Sequence, residues 1–212
     1  MTTRLAPALA LALCAGLALP AAAQDRPVFK PKRDVSVTYR STGGQAAGQE
    51  LRMSWLVAEQ KLRVDMPGGM GWSLVDEPAQ KMFMVMDAQR MVMEMPLHGP
   101  QGQLIPTSPP ASARFTRLGT ATVAGVRCTN WRYEDGESRG EGCVTDDGVM
   151  LRSQGSHQGQ SGGVEATQVT YAAQDPARFR LPQGYQAMQM PGRMGGGAGG
   201  PPAAPPGGRP AR

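Results

Sequence analysis

Apolar and polar residues alternate along the middle of the chain with a period of two, not the 3.6 of an amphipathic helix. "DVSVTYR" puts Val35, Val37 and Tyr39 on one face. "ELRMSWLV" does the same for Leu51, Met53, Trp55 and Val57, with Arg52 and Ser54 opposite. "KLRVD" sets Leu62 and Val64 against Lys61, Arg63 and Asp65. After the turn signal Pro67-Gly68-Gly69, "GWSLVD" carries Trp72 and Leu74. The alternation is clearest in "KMFMVMDAQRMVMEMP". Folding it about Ala88-Gln89 faces Met86 with Met91, Met84 with Met93 and Met82 with Met95, all on one side. Phe83, Val85, Val92 and Glu94 take the other side. A Pro-rich loop follows, from Pro96 to Ser112. Then come "ARFTRLGTATVAGV", a cysteine-flanked hairpin, "GVMLRSQ", a Gly/Gln loop around His157, and "VEATQVTYAA". Short strands spaced near ten residues apart predict a mainly β protein, built as a single curled antiparallel sheet or barrel. Helix is confined to at most one turn in "QDPARFRLP".

The two ends depart from this pattern. Residues 1–23 have Arg4, an apolar run from Leu5 to Leu19 and the small-residue sequence Ala21-Ala22-Ala23, which together read as a secretory signal peptide cut near Ala23. An alternative makes Cys14 a lipid-modified cysteine, but Leu13 stands where a lipobox needs a small residue. No second apolar run is long enough for a transmembrane segment. Residues 24–33 read as a linker and 34–186 as the folded domain. Gly and Pro fill more than half of residues 187–212, so this stretch reads as a disordered tail. An exported chain of this kind is expected in the periplasm. Its formal net charge of +5 falls to +4 when Arg4 leaves with the signal, and no Lys/Arg stripe with interleaved aromatics marks a nucleic-acid surface.

Two cysteines remain beyond the signal, Cys128 and Cys143, and an oxidising compartment predicts a disulfide between them. A two-residue turn at Asp135-Gly136 would place them directly opposite each other. That register also opposes Glu134 to Glu137 and Arg132 to Arg139, an unfavourable arrangement that a longer, bulged loop would relieve. Neither a C-x-x-C pair nor a His/Cys cluster accompanies them, so the bridge reads as structural.

"KLRVDMPGG", "WSLVDEPAQKMFMVMDAQRMVMEMP", "TATVAGVRCTNW" and "DPARFRLPQGY" resemble segments of the exported family of domain of unknown function 4412. The closing Phe179, Leu181, Pro182, Gly184 and Tyr185 resemble the end of the lipoprotein-carrier superfamily that includes LolA, LolB and the RseB sensor domain. The resemblance implies a half-open antiparallel barrel with an apolar concave face. It implies no activity.

The methionines carry the functional question. Six buried Met side chains would contribute on the order of 9–18 kcal/mol as an upper bound, so the face they form needs a cover. The rest of the sheet could supply it as a filled core, since Met fills irregular gaps. Alternatively the face lines a cavity for an acyl chain, lipid or apolar peptide, with Trp55, Trp72, Leu51 and Leu74 joining Met82, Met84, Met86, Met91, Met93 and Met95. A third reading is a Cu(I) site using Met93, Met95 and His98, because thioethers select soft ions. An envelope protein partner is a further possibility. No cofactor motif is present. His98 and His157 lack a nucleophile or orienting acid nearby in sequence, and no serine sits in a G-x-S-x-G elbow, so no enzyme is predicted.

Overall fold

The computed structural model describes residues 26–43, 46–97, 109, 111–157 and 160–189. The signal peptide, most of the Pro-rich loop with His98, and the tail beyond Gln189 lie outside the described residues. Twelve strands form one sheet: β1 Val35–Ser41, β2 Glu50–Leu56, β3 Lys61–Asp65, β4 Trp72–Asp76, β5 Lys81–Met86, β6 Met91–Pro96, β7 Arg114–Val123, β8 Val126–Asp135, β9 Ser138–Val144, β10 Met150–His157, β11 Gln160–Thr170 and β12 Gln186–Gln189. Their order across the sheet is β12-β6-β5-β4-β3-β2-β1-β11-β10-β9-β8-β7. Two meanders are therefore seamed at the middle by β1 against β11, and the sheet stays open between β12 and β7. Every pairing is antiparallel except that of β12 with β6. Among the described residues the remaining regular structure is short 3₁₀ turns, one of them Pro176–Phe179, where Asp175 accepts a bond from the Ala177 amide at 2.9 Å.

The methionine hairpin has the register its alternation predicts, with Met82↔Met95, Met84↔Met93 and Met86↔Met91 about a four-residue loop. Following register across the sheet separates two faces. Val35, Val37 and Tyr39 oppose Trp55, Met53 and Leu51; these oppose Leu62 and Val64; Val75 and Ser73 come next, then Met82 and Met84. This is the inner face. The outer face carries Arg63, Trp72, Leu74, Phe83, Val85 and Val92.

The cysteine hairpin turns one residue later than the Asp-Gly signal predicts. Asp135 pairs with Ser138, leaving Gly136-Glu137 as the two turn residues. Gly136 alone has positive φ, +56°, which is the type II′ pattern and not the I′ turn of Asp-Gly. The shift resolves the charge conflict without a bulge. Glu134 faces Arg139, and Arg132 faces Glu141 in an ion pair of 3.1 Å. Cys143 now faces Asn130, so the disulfide runs diagonally to Cys128 across a Cα–Cα distance of 5.4 Å. Both sulfurs are buried with Val35, Val37, Tyr39, Val149 and Leu151.

Two further boundaries differ from expectation. The Gly/Gln stretch around His157 is mostly strand, since β10 and β11 pair through Gly155↔Gly162. The strand β12 crosses the expected domain end at residue 186. Between β11 and β12 the chain straps the outer face. Phe179, 1 % exposed, packs into Leu56, Trp72, Leu74, Val85 and Val92. Arg63 donates to the Arg178 carbonyl at 2.8 Å and lies 3.9 Å over the Trp72 ring, while Arg178 pairs with Asp65 at 3.1 Å. Tyr185 donates to Asp87 at 3.1 Å, which fixes the strap to the methionine hairpin loop.

Candidate functional site

Curling brings the inner faces of the two meanders towards each other and encloses a cavity of about 550 Å³. One wall is Leu51, Met53 and Trp55 of β2 with Leu62 and Val64 of β3. The other is Trp131 and Tyr133 of β8, Val144 of β9 and Met150 of β10, with Phe115 of β7 beside them. Tyr39 lies between the walls at 1 % exposure and donates to the Met150 carbonyl at 2.6 Å. Burial pushes its phenol pKa upward, with the nearby Tyr171 adding to the effect, so Tyr39 serves as a neutral donor joining β1 to β10.

Glycines line part of the space. The cross-strand partners of Trp131 and Tyr133 are Gly142 and Gly140, and Gly140 in turn faces Gly155. A Cβ on Gly140 would lie 2.6 Å from the Gln154 carbonyl oxygen, and one on Gly155 would lie 2.9 Å from that of Arg139. Strand glycines are costly unless something must approach the backbone. Here they leave one wall as bare backbone beneath two aromatic rings.

The mouth is crossed by residues 26–33. Phe29 stacks obliquely on Phe115 with ring centroids 5.6 Å apart, and Phe115 lies 6.0 Å from Tyr133. Lys30 pairs with Glu77 and donates to Gln60 at 2.9 Å. Arg33 pairs with Asp147 at 2.8 Å and lies 3.7 Å above the Tyr171 ring. Asp147 also accepts from Thr145 at 2.5 Å and from Tyr171 at 3.1 Å. Desolvation works against its charge, but these donors and Arg33 together hold its pKa below the usual carboxylate value.

The sequence-predicted face divides in four. Leu51 and Trp55 line the cavity. Met82 and Met95 are buried, 1 % and 2 % exposed, in a core with Leu62, Val64, Val75 and Leu97. Met84, Met86, Met91 and Met93 are half-buried on the same face, beyond the cavity. Trp72 and Leu74 do not belong to this face. Trp72 pairs with Val85 and Leu74 with Phe83, so both point outward beneath the Phe179 strap. Met93 and Met95 share a face, and His98 is outside the described residues. The sequence reading missed Trp131, Tyr133, Phe115 and Met150; their signal was the unusual "SRGEGC", where glycine replaces every second side chain in a strand.

The site offers apolar contact and little chemistry. The charged groups on its lining are paired: Lys30 with Glu77, Lys61 with Glu59 at 2.8 Å, and Glu141 with Arg132 at 3.1 Å. Among the described residues no three His, Cys, Asp or Glu side chains gather as a metal site, and no helix is long and apolar enough to cross a membrane.

The fold is shared with solved proteins. The chain is similar to an uncharacterized conserved protein from Thermus thermophilus, with 13 % identity and a TM-score of 0.54, covering 74 % of this chain and 91 % of that one. It is also similar to a chain of the MucA/MucB complex of Pseudomonas aeruginosa, with 13 % identity and a TM-score of 0.52, covering 76 % of this chain and 60 % of the other. At this identity both likenesses show a shared fold. No curated protein matches the chain. The family model for domain of unknown function DUF4412 matches residues 45–175, well over half the sequence, and the chain belongs to that family.

Proposed function

We propose that the protein is a non-enzymatic binding protein of the cell envelope whose cavity takes an apolar guest, an acyl chain or an apolar peptide segment. The observation that carries this reading is the apolar space of about 550 Å³ between β2–β3 and β8–β10, floored by Gly140, Gly142 and Gly155. The volume falls within the roughly 300–1,000 Å³ of small-molecule sites. Leucine, valine and aromatic walls with a flexible Met53 suit a guest recognised by shape and apolarity. The leader-like residues 1–23 and the disulfide support an exported setting.

The test is titration of delipidated protein with a pyrene-labelled fatty acid and, separately, with an apolar fluorescent peptide. Leu51→Trp fills the cavity from a half-buried position and is expected to weaken binding about tenfold or more, equivalent to about 1.4 kcal/mol. Trp72→Phe, on the outer face, is expected to leave it unchanged. Absence of binding by the folded protein, or equal binding by the Leu51→Trp variant, overturns the proposal.

A further inference from the structure

The four half-buried methionines beyond the cavity acquire a fifth neighbour that the hairpin alone does not provide. The strand β12 lies parallel to β6 in the register Met188↔Met93 and Gln186↔Met91. Since Met93 also faces Met84 across the hairpin, Met84, Met93 and Met188 form one row over three adjacent strands, with side chains on the inner face. Met86 and Met91 form the neighbouring pair. Met188 is 51 % exposed and Met84 and Met93 are partly buried, so the row runs from the core out to solvent.

We propose that Met84, Met93 and Met188 form a thioether site for a soft monovalent metal ion, Cu(I), with Met86 and Met91 as adjacent donors. Direct cross-strand neighbours have Cβ atoms about 4.5–5.5 Å apart. Each Met has three rotatable bonds and carries its sulfur well beyond Cβ, so three side chains from adjacent strands can turn their sulfurs onto one ion without backbone movement. Met95, the next methionine along β6, is locked in the core at 2 % exposure and is not available to such an ion. Thioethers are neutral and soft, which selects Cu(I) over hard divalent ions. The same row contains no carboxylate: Glu94 faces outward with Phe83 and pairs with Lys81 at 2.7 Å. The site is separate from the apolar cavity and does not depend on it.

The test uses Ag(I) as a redox-stable probe of the same softness, and Cu(I) under anaerobic conditions against a chromophoric competitor, on the full chain. One tightly held ion per chain is expected, read by native mass spectrometry and calorimetry. A triple variant with Met84→Leu, Met93→Leu and Met188→Leu keeps size and apolarity but removes sulfur, and its affinity is expected to fall about a hundredfold, with the melting temperature and fatty-acid binding unchanged. Met82→Leu with Met95→Leu, in the buried part of the hairpin, should leave metal affinity as it was. X-ray absorption at the Cu edge is expected to show sulfur-only coordination. Failure of the wild-type chain to bind Ag(I), equal affinity of the triple variant, or nitrogen and oxygen ligands at copper would each overturn the assignment.

Discussion

Replacing Phe179 by alanine tests which side of the sheet is structure and which is site. Phe179 is 1 % exposed and is the plug of an outer-face cluster that includes Trp72, Leu74, Val85 and Val92. A buried aromatic ring removes about 150–250 Å² from water, worth roughly 4–6 kcal/mol at about 25 cal/mol per Å². Measured Phe→Ala losses in cores run about 3–5 kcal/mol, because the denatured chain already hides some surface and the cavity partly relaxes. An expected loss of about 3–5 kcal/mol corresponds to roughly 6–20 °C in Tm for a domain of this size. The assay is urea denaturation followed by Trp fluorescence, with thermal unfolding in parallel. A companion Trp72→Ala and the double variant close a cycle, with a coupling of about 0.5–3 kcal/mol expected for touching side chains. While folded, Phe179→Ala should bind the fatty-acid probe as wild type does. A loss under about 1 kcal/mol, or stability retained with guest binding abolished, would refute the assignment of this face to the strap.

The other expectations concern the seams of the fold. Replacing Cys128 and Cys143 together by serine opens a loop with a sequence separation of 15 and should cost about 3 kcal/mol in denaturant midpoint experiments; an unchanged midpoint would contradict a stabilising bridge. Asp147 has a folded pKa below its unfolded value, so its contribution is complete above the ordinary carboxylate range and fades as pH falls through the lower, folded pKa. Stability measured from pH 6 downward should therefore drop on the acid side below about pH 4. Asp147→Asn should flatten that limb and loosen residues 26–33 in hydrogen exchange; an unaltered acid limb would remove Asp147 from the account.

Local pattern carried the strands well because period-two alternation and turn length together fix register. The methionine hairpin shows this: the Asp87–Arg90 turn and flanking alternation suffice to pair Met84 with Met93. The same counting across the turn at residues 77–80 pairs Leu74 with Phe83, so the outward direction of Trp72 and Leu74 was legible, and grouping them with the methionines ignored that parity. At the cysteine hairpin the strong Asp-Gly signal pointed one residue early, while the charges of Arg132, Glu134, Arg139 and Glu141 already favoured the register the chain adopts. The cavity itself was not legible. Leu51 and Trp131 line one cavity only because β1 seams to β11, a pairing between residues some 130 apart that no local rule reaches. The strap and β12 were hidden for a related reason, since a four-residue strand beside a Gly/Pro-rich stretch carries little alternation of its own.

The seam of β1 with β11 also sets an order of assembly. During synthesis the first meander, β1 to β6, can fold as hairpins as soon as it emerges, but both its margins then present unpaired backbone groups. One margin waits for residues 160–170 and the other for residues 186–189, so neither is protected until those strands have been made. A fragment ending before residue 160 is therefore expected to be a sticky species, and the outer backbone groups of β1 and β6 are covered only when β11 and β12 dock.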